Sequence, residues 1–260
     1  MSWKPEMVAL DIDGTVVDLE GNLPSTVVDA VQRVLAAGTP VVLATGRSWQ
    51  DTKPIHEALG LQPGPAVTSN GAVVVDYPPL HLRKQITFDP APAIRKVLGH
   101  APHLRVAVED AGGGYRVNTP FPDGDLTGQV TIQEVDELCA VPVTRVIIRD
   151  PNASSDDFKR LAKDLGMHGV SYSIGWSAWL DIAPVGVNKA SGLKEVVAEF
   201  KVKRKNVLAM GDGRNDVHML KWAGRGVAMG DAPDEVKKCA DHVTGNFADG
   251  GTIEELSRWF

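Results

Sequence analysis

The chain has 260 residues, enough for a sizeable hydrophobic core and close to the length at which chains divide into two domains. Its 43% hydrophobic and 23% charged residues are typical of a globular protein, and its formal net charge of −6 argues against binding to nucleic acid or a membrane surface. No apolar run approaches the length of a membrane span, and the two cysteines, Cys139 and Cys239, form no metal-ligand pattern, so we expect a cytoplasmic protein with reduced thiols.

The first 80 residues alternate between apolar strands and helices. Residues 8–10 form an apolar run that predicts a buried strand, and two carboxylates, Asp11 and Asp13, follow it directly. After it come a helix at about residues 25–35, a strand in PVVLATGR, a helix at about residues 49–59 and a hairpin around Asn70-Gly71 in AVTSNGAVVVD. This order predicts a parallel sheet covered by helices on both faces.

The pattern changes from about residue 82, where hairpins and helices mix. The predicted elements are a helix in FDPAPAIRKVLGHAP, a hairpin across residues 112–114, a strand in VTRVIIRD, an amphipathic helix in SSDDFKRLAKDLG and a strand pair in SYSIGWSAWLDIAP. After Pro184 the strand-helix alternation resumes, with a helix at about residues 191–200 and a buried strand in NVLAMG. The sequence therefore predicts an α/β fold with a Rossmann-like parallel sheet and an inserted α+β module.

Four segments place polar groups where ligands bind in such sheets, outside the carboxyl ends of the strands. They are Asp11 with Asp13, Thr45-Gly46-Arg47, Lys189, and the stretch from Asp212 to Asp216. Carboxylate oxygens suit Mg²⁺, which takes few protein ligands and leaves room for water and substrate phosphate. A lysine and a hydroxyl beside such an ion suit a phosphoryl group. We therefore expect Mg²⁺ and a phosphorylated ligand at this edge.

The same residues resemble the motifs of a known family. DIDGT, ATGR, the pair Asn188-Lys189 and GDGRND resemble the four motifs of the haloacid dehalogenase superfamily, in the required order. The large insertion and SNGA at residues 69–72 resemble its Cof-like phosphatase branch. The resemblance covers nearly the whole chain. It implies a discontinuous Rossmann-like catalytic core, residues 1–81 plus 185–260, and an inserted substrate-selecting cap, residues 82–184, here called the cap segment.

The resemblance also implies roles for individual residues. Asp11 would attack phosphorus and form an aspartyl-phosphate, and Asp13 would protonate the leaving oxygen and then take a proton from water. The implied phosphate contacts are Thr45, Gly46, Lys189 and Asn215. The implied Mg²⁺ ligands are the Asp11 carboxylate, the Asp13 carbonyl and Asp212, with Asp216 behind them.

Further residues could contact the substrate. Arg47, Asn70 and Gly71 correspond to positions that can face it in relatives, although a helix-entry arginine and a tight-turn asparagine need no ligand to explain them. In the cap segment, Trp176, Trp179 and Arg149 are candidates for contacts with the leaving group, with packing inside the cap segment as the alternative for the tryptophans.

The predicted function is Mg²⁺-dependent hydrolysis of a small phosphomonoester. A phosphomutase acting on a hexose phosphate uses the same chemistry and stays an alternative, and a phosphoacceptor signalling domain is the alternative outside enzymes. The inserted module and the second aspartate, Asp13, fit that signalling class poorly, and Asp13 supplies an acid that dehalogenation does not need. Sugar phosphates, nucleotides, phosphoglycolate and pyridoxal phosphate remain open as substrates, and the sequence specifies no oligomeric state.

Overall fold

The computed structural model describes residues 3–110, 113–166, 170–174 and 178–260. The N-terminal elements are β1 (Met7–Leu10), α1 (Ser25–Ala36), β2 (Val41–Leu43), α2 (Trp49–Ala58), β3 (Gly64–Thr68), β4 (Val73–Tyr77) and β5 (His81–Gln85). The middle elements are α3 (Ala91–His100), β6 (Arg105–Glu109), β7 (Tyr115–Val117), β8 (Val130–Ile132), α4 (Val135–Leu138), β9 (Arg145–Arg149), α5 (Ser155–Leu165), β10 (Val170–Ile174) and β11 (Trp179–Pro184). The C-terminal elements are α6 (Lys189–Glu199), β12 (Val207–Gly211), α7 (Val217–Trp222), β13 (Arg225–Ala228), α8 (Asp234–Lys237), β14 (His242–Val243) and α9 (Gly251–Leu256).

A parallel five-stranded sheet, in the order β14-β13-β12-β1-β2, confirms the predicted α/β fold. Strands β1, β2 and β12 are buried on both faces, so their alternate residues enter two different cores. Val8 and Leu10 pack on the side of α1 and α9, whereas Met7 and Ala9 pack on the side of α6 and α7. Strand β1 pairs with β12 on one side and β2 on the other, so Asp11, which follows it, lies between two strand ends and not at an edge of the sheet.

A three-stranded antiparallel sheet, β3-β4-β5, continues from β2 through a parallel bridge between Ala44 and Val67. The predicted hairpin is confirmed, and its turn is a short 3₁₀ helix over Ser69–Gly71. Strand β5 is not predicted, because HLRKQ lacks apolar alternation. It pairs with β4, so the predicted boundary at residue 82 falls inside a strand.

The cap segment contains a six-stranded sheet in the order β10-β11-β9-β6-β7-β8. The predicted β6-β7 hairpin and β10-β11 pair are confirmed. Between β10 and β11 the structure does not describe residues 175–177, so Trp176 lies outside the described residues. One face of the sheet packs against α3 and α5, and the other carries a smaller apolar cluster that includes Tyr115, Ile147 and Trp179.

Helix α6 begins at Lys189, two residues before the predicted start, because Asn188 caps it. The Asn188 side chain accepts a hydrogen bond from the Ser191 amide at 3.1 Å, and the Ser191 hydroxyl accepts one from the Asn188 amide at 3.0 Å. Capping of the helix by Asn188 places Lys189 in the first turn of α6, at the carboxyl edge of the parallel sheet. None of the helices in the described ranges combines the length and apolar character that crossing a membrane requires.

Candidate active site

Asp11 lines a large cavity. It directly follows β1, its amide donates to the Met210 carbonyl of the neighbouring strand at 3.0 Å, and its side chain is buried. The cavity has a volume of about 860 Å³ and is lined by both core residues and residues of the cap segment. Asp13 lines it as well, two positions further along the chain. The structure therefore places both predicted catalytic carboxylates on one cavity.

Lys189 joins two buried carboxylates. Its Nζ lies 2.6 Å from Oδ1 of Asp11 and 2.6 Å from Oδ1 of Asp216, and all three side chains are buried. Burial raises the pKa of Asp11 to about 7; the Asp216 carboxylate adds to this effect and Lys189 opposes it. Burial alone would lower the pKa of Lys189, but the two carboxylates more than offset it, so the pKa is raised and the ammonium is retained.

The acidic residues are grouped closely enough to hold one cation. Asp11, Asp212 and Asp216 each offer a carboxylate oxygen, and these oxygens lie within 4.8 Å of one another. Oxygen-only ligands of this kind suit Mg²⁺. Gly14 makes the arrangement possible, because a Cβ at this position would lie 2.3 Å from Oδ2 of Asp212 and the backbone has φ of +70°. The residues therefore fit the expected ion.

Asp216 is already held by protein groups. Its Oδ1 accepts from Lys189, and its Oδ2 accepts from the amides of Asp212 at 3.1 Å and Gly213 at 2.8 Å. These contacts fix the loop that follows β12. They suit a carboxylate that orients Asp212 and Lys189, as the sequence predicts for a position behind the metal ligands.

The side chain of Asp13 is bound to Arg47. The guanidinium donates from Nε to Oδ2 at 3.1 Å and from Nη2 to Oδ1 at 2.6 Å, so the contact is bidentate. The Asp13 side chain is 48% exposed. Its carboxylate is turned toward the cavity and Arg47, and the predicted metal contact through its main-chain carbonyl stays a prediction.

The loop Thr45-Gly46-Arg47 leaves two hydrogen-bond donors available. Its carbonyls at Thr45 and Arg47 accept from the amides of Asn70 and Ser69, at 3.0 and 2.8 Å. The Thr45 hydroxyl oxygen accepts from the Arg47 amide at 3.1 Å. Within the described residues, no group accepts from the Gly46 amide or from the Thr45 hydroxyl. These two donors are the predicted phosphate contacts.

The turn after β3 lies directly beside this loop. Asn70 has φ of +54°, and its side-chain oxygen accepts from Asn215 at 3.0 Å. A Cβ on Gly46 would lie 3.2 Å from the Asn70 amide oxygen and 3.3 Å from the Asn215 amide nitrogen. Asn215 lines the cavity, so the structure brings it together with Gly46.

Gly71 lies against the backbone at the start of α6. A Cβ there would lie 2.1 Å from the Asn188 carbonyl oxygen, so the two segments pack closely. Asn70 and Gly71 are buried and are not among the described residues that line the cavity. Substrate binding by these two residues stays untested.

Two of the three predicted cap candidates are described. Trp179 lines the cavity, donates from Nε1 to Oδ1 of Asp181 at 3.1 Å and contacts Phe121 edge-on, with ring centroids 6.4 Å apart. It therefore both packs within the cap segment and faces the cavity. Arg149 pairs with Asp125 at 2.7 Å and is not among the described lining residues.

Sequence reasoning missed a cluster of polar side chains on the face of the six-stranded sheet that also carries Trp179. Arg145 donates from Nε to Glu109 at 2.7 Å, from Nη2 to the Tyr115 hydroxyl at 3.0 Å and from Nη1 toward Asp181 at 3.4 Å. Arg145, Glu109 and Tyr115 are buried. Burial lowers the pKa of Arg145, but the Glu109 carboxylate and its other neighbours outweigh this and raise it. The only local signal is that Arg145 and Glu109 each stand at one end of a strand with an apolar centre, RVIIR and RVAVE.

This group also bonds to the core loops. Glu109 accepts from the Ser69 hydroxyl at 2.5 Å, and Oδ2 of Asp181 accepts from the Asn70 side chain at 3.1 Å. Arg145 Nη1 donates to the Gly46 carbonyl. Three strands of the cap segment therefore contact the two loops that carry the predicted phosphate and substrate residues.

Comparison with known proteins defines the class. A model of the haloacid dehalogenase-like hydrolases matches residues 8–256. The chain therefore belongs to the haloacid dehalogenase-like hydrolase family. Pyridoxal phosphate phosphatase YbhA of Escherichia coli (strain K12) is 30% identical over 258 residues, covering 92% of this chain and 93% of that protein.

Two further relatives extend the comparison. The 5-amino-6-(5-phospho-D-ribitylamino)uracil phosphatase YitU of Bacillus subtilis (strain 168) is 26% identical over 269 residues, covering 100% of this chain and 99% of that protein. A solved phosphatase of the haloalkanoate (HAD) enzyme superfamily from Bacteroides thetaiotaomicron has a TM-score of 0.78 and 26% identity, covering 98% of this chain and 95% of that one. The resemblance found in the sequence and the predicted phosphoric monoester hydrolase are confirmed.

Proposed function

We propose that this chain is a Mg²⁺-dependent phosphatase that hydrolyses small phosphomonoesters through an aspartyl-phosphate on Asp11. The observation that carries the proposal is the arrangement around Asp11. A lysine ammonium lies 2.6 Å from its carboxylate, two further carboxylates offer oxygens within 4.8 Å, and Asp11 lines a cavity of about 860 Å³. This arrangement combines a nucleophile, a fixed cation and oxygen ligands for Mg²⁺.

In the proposed reaction, Asp11 attacks phosphorus while the phosphoryl oxygens accept hydrogen bonds from the Thr45 hydroxyl and the Gly46 amide. Lys189 offsets the negative charge that Asp11 and the phosphoryl group bring together. Asn215, which lines the cavity, is the further proposed contact. Mg²⁺, held by Asp11, the Asp13 carbonyl and Asp212 with Asp216 behind them, would stabilise negative charge on the phosphoryl oxygens.

Asp13 is proposed to transfer the protons. It first protonates the leaving oxygen and then, as a carboxylate, takes a proton from the water that hydrolyses the aspartyl-phosphate. Its bidentate pair with Arg47 supports the second step, because the guanidinium orients the carboxylate that must accept that proton. For the first step, the proton carried by Asp13 replaces one of the two contacts with Arg47.

The cap segment, residues 82–184, is proposed to select the leaving group above a core of residues 1–81 and 185–260. Tyr115, Arg145, Trp179 and Asp181 of this segment line the cavity, which supports the proposal. The substrates named for the two curated relatives, pyridoxal phosphate and 5-amino-6-(5-phospho-D-ribitylamino)uracil, are the first candidates. A cytoplasmic location is part of the proposal, supported by two free thiols, Cys139 and Cys239.

The test is phosphate release from a panel of phosphomonoesters, with Mg²⁺ or with EDTA, for the wild type and Asp11→Asn. We expect release that requires Mg²⁺ and is abolished by Asp11→Asn. Isomerisation of a hexose phosphate without phosphate release would instead favour a mutase. A long-lived phospho-aspartate without turnover would favour a phosphoacceptor domain.

A further inference from the structure

The peptide between Gly46 and Arg47 is held from both sides. Its N–H, which belongs to Arg47, donates to the Thr45 hydroxyl oxygen at 3.1 Å. Its carbonyl, which belongs to Gly46, accepts from Nη1 of Arg145 in the cap segment. Because the Thr45 oxygen accepts this hydrogen bond, its own proton is directed elsewhere. The orientation of this one peptide therefore restricts the directions in which the Thr45 hydroxyl can donate.

The side chain that holds the carbonyl is itself rigidly placed. Arg145 is 4% exposed, and its guanidinium is bound by Glu109, the Tyr115 hydroxyl and Asp181. Glu109 stands directly opposite Arg145 in the β6-β9 ladder, and Tyr115 stands opposite Glu109 in the β6-β7 ladder. A guanidinium that is held in place by paired strands can fix the orientation of a group on another element, here the Gly46 carbonyl.

We propose that Arg145 is a positioning residue that couples docking of the cap segment onto the core to assembly of the phosphate-binding loop. This inference rests on the proposed function, because it takes Thr45 and Gly46 as the phosphate contacts. Its consequence is that the cap segment contributes to phosphate binding itself, and not only to the choice of leaving group. Two parallel contacts, Glu109 to Ser69 and Asp181 to Asn70, hold the adjacent loop in the same way.

The experiment measures binding of inorganic phosphate, which has no leaving group, by calorimetry in the presence of Mg²⁺, together with kcat and KM for several esters. The variant is Arg145→Gln. A displaced loop should weaken phosphate binding and lower kcat for every ester by a similar factor, roughly ten- to hundredfold. The matched control is Arg116→Gln, which removes an arginine from the same sheet whose ion pair, with Asp110, stays within the cap segment and away from the cavity lining. The control should leave phosphate affinity unchanged.

Two further variants keep the test decisive if Arg145→Gln does not fold. Arg145→Lys keeps the positive charge but loses the several donors of the guanidinium. Glu109→Gln keeps Arg145 but removes the negative charge that holds it. Both variants should reduce phosphate affinity, and by less than Arg145→Gln does. The positioning role would be overturned if the folded variants bound phosphate with wild-type affinity. It would also be overturned if kcat fell for some esters and not for others. If the wild type releases no phosphate from any ester, including p-nitrophenyl phosphate, the proposed function fails and this inference falls with it.

Discussion

Arg47 and Asp13 form a bidentate ion pair on the cavity wall, with hydrogen bonds of 3.1 and 2.6 Å. The pair joins the segment after β1 to the loop after β2, two neighbouring strands of the parallel sheet. It fixes the orientation of the carboxylate that is proposed to move both protons. We therefore expect Arg47 to act on the proposed reaction through Asp13, in addition to any contact with substrate.

The first prediction follows from this pair. Arg47→Ala should lower kcat/KM, which reports on the steps up to departure of the leaving group, by roughly 100-fold for an alkyl phosphate, because its leaving oxygen requires a proton from a correctly oriented Asp13. The loss should be much smaller for p-nitrophenyl phosphate, whose leaving group departs without a proton. Steady-state kinetics with both esters measure the difference. Arg33→Ala, on the exposed side of α1, is the control. Equal losses for the two esters would contradict a role through Asp13.

The second prediction concerns the buried lysine. Lys189→Met should reduce the free energy of unfolding by about 3–5 kcal/mol, since it leaves the Asp11 and Asp216 carboxylates buried without their cation. Urea denaturation without Mg²⁺ measures the loss. The double variant Lys189→Met/Asp216→Asn should lose less than the sum of the two single variants, because the groups interact directly. Strict additivity would argue against the contact.

The third prediction tests the metal site through a glycine. Gly14→Ala should raise the Mg²⁺ concentration needed for half-maximal activity roughly 10- to 100-fold, because its Cβ would displace Asp212. Gly38→Ala is a matched control: φ is +76° there against +70° at Gly14, and no atom lies within 4 Å of its Cβ. Both variants share the backbone strain, about 1–2 kcal/mol, and only Gly14→Ala adds the clash. The same Mg²⁺ requirement in both variants would contradict the assignment of Asp212.

The fourth prediction concerns substrate choice. Trp179→Leu should change the ranking of substrates by KM, since the ring lines the cavity, while kcat for p-nitrophenyl phosphate changes little. Phe121→Leu is the control, because Phe121 packs against Trp179 but is not among the described lining residues. An unchanged ranking in Trp179→Leu would exclude a role for this residue in selecting the leaving group.

Much of the core site follows from the sequence because each polar group comes directly after a buried strand or at the start of a helix. Parallel strands bring their carboxyl ends to one edge, so Asp11 and Asp212 are expected at the same edge, and they meet there because β1 and β12 are neighbours. Lys189 meets them because α6 begins two residues earlier than predicted, through the Asn188 cap. In this part of the molecule, local patterns predict the edge, and the family resemblance predicts which groups meet there.

The contacts of the cap segment could not be predicted in the same way. Glu109 faces Arg145 only because the register of β6 and β9 pairs them, and no local pattern in either strand specifies that register. Strand β5 was missed for a related reason, since HLRKQ is a strand through pairing with β4 rather than through its own composition. Which strands pair, and in which register, cannot be predicted from the residue pattern of either strand alone.

The contacts of Arg145, Glu109 and Asp181 with the core limit how freely the cap segment could be exchanged between relatives. A chimera that received a foreign insertion would keep the Gly46 carbonyl, Ser69 and Asn70 but lose the three side chains that hold them. The loop Thr45-Gly46-Arg47 would lose its contacts from the cap segment even if both parts folded well. Such a chimera would therefore need these three positions of the cap segment to be carried over together with the core.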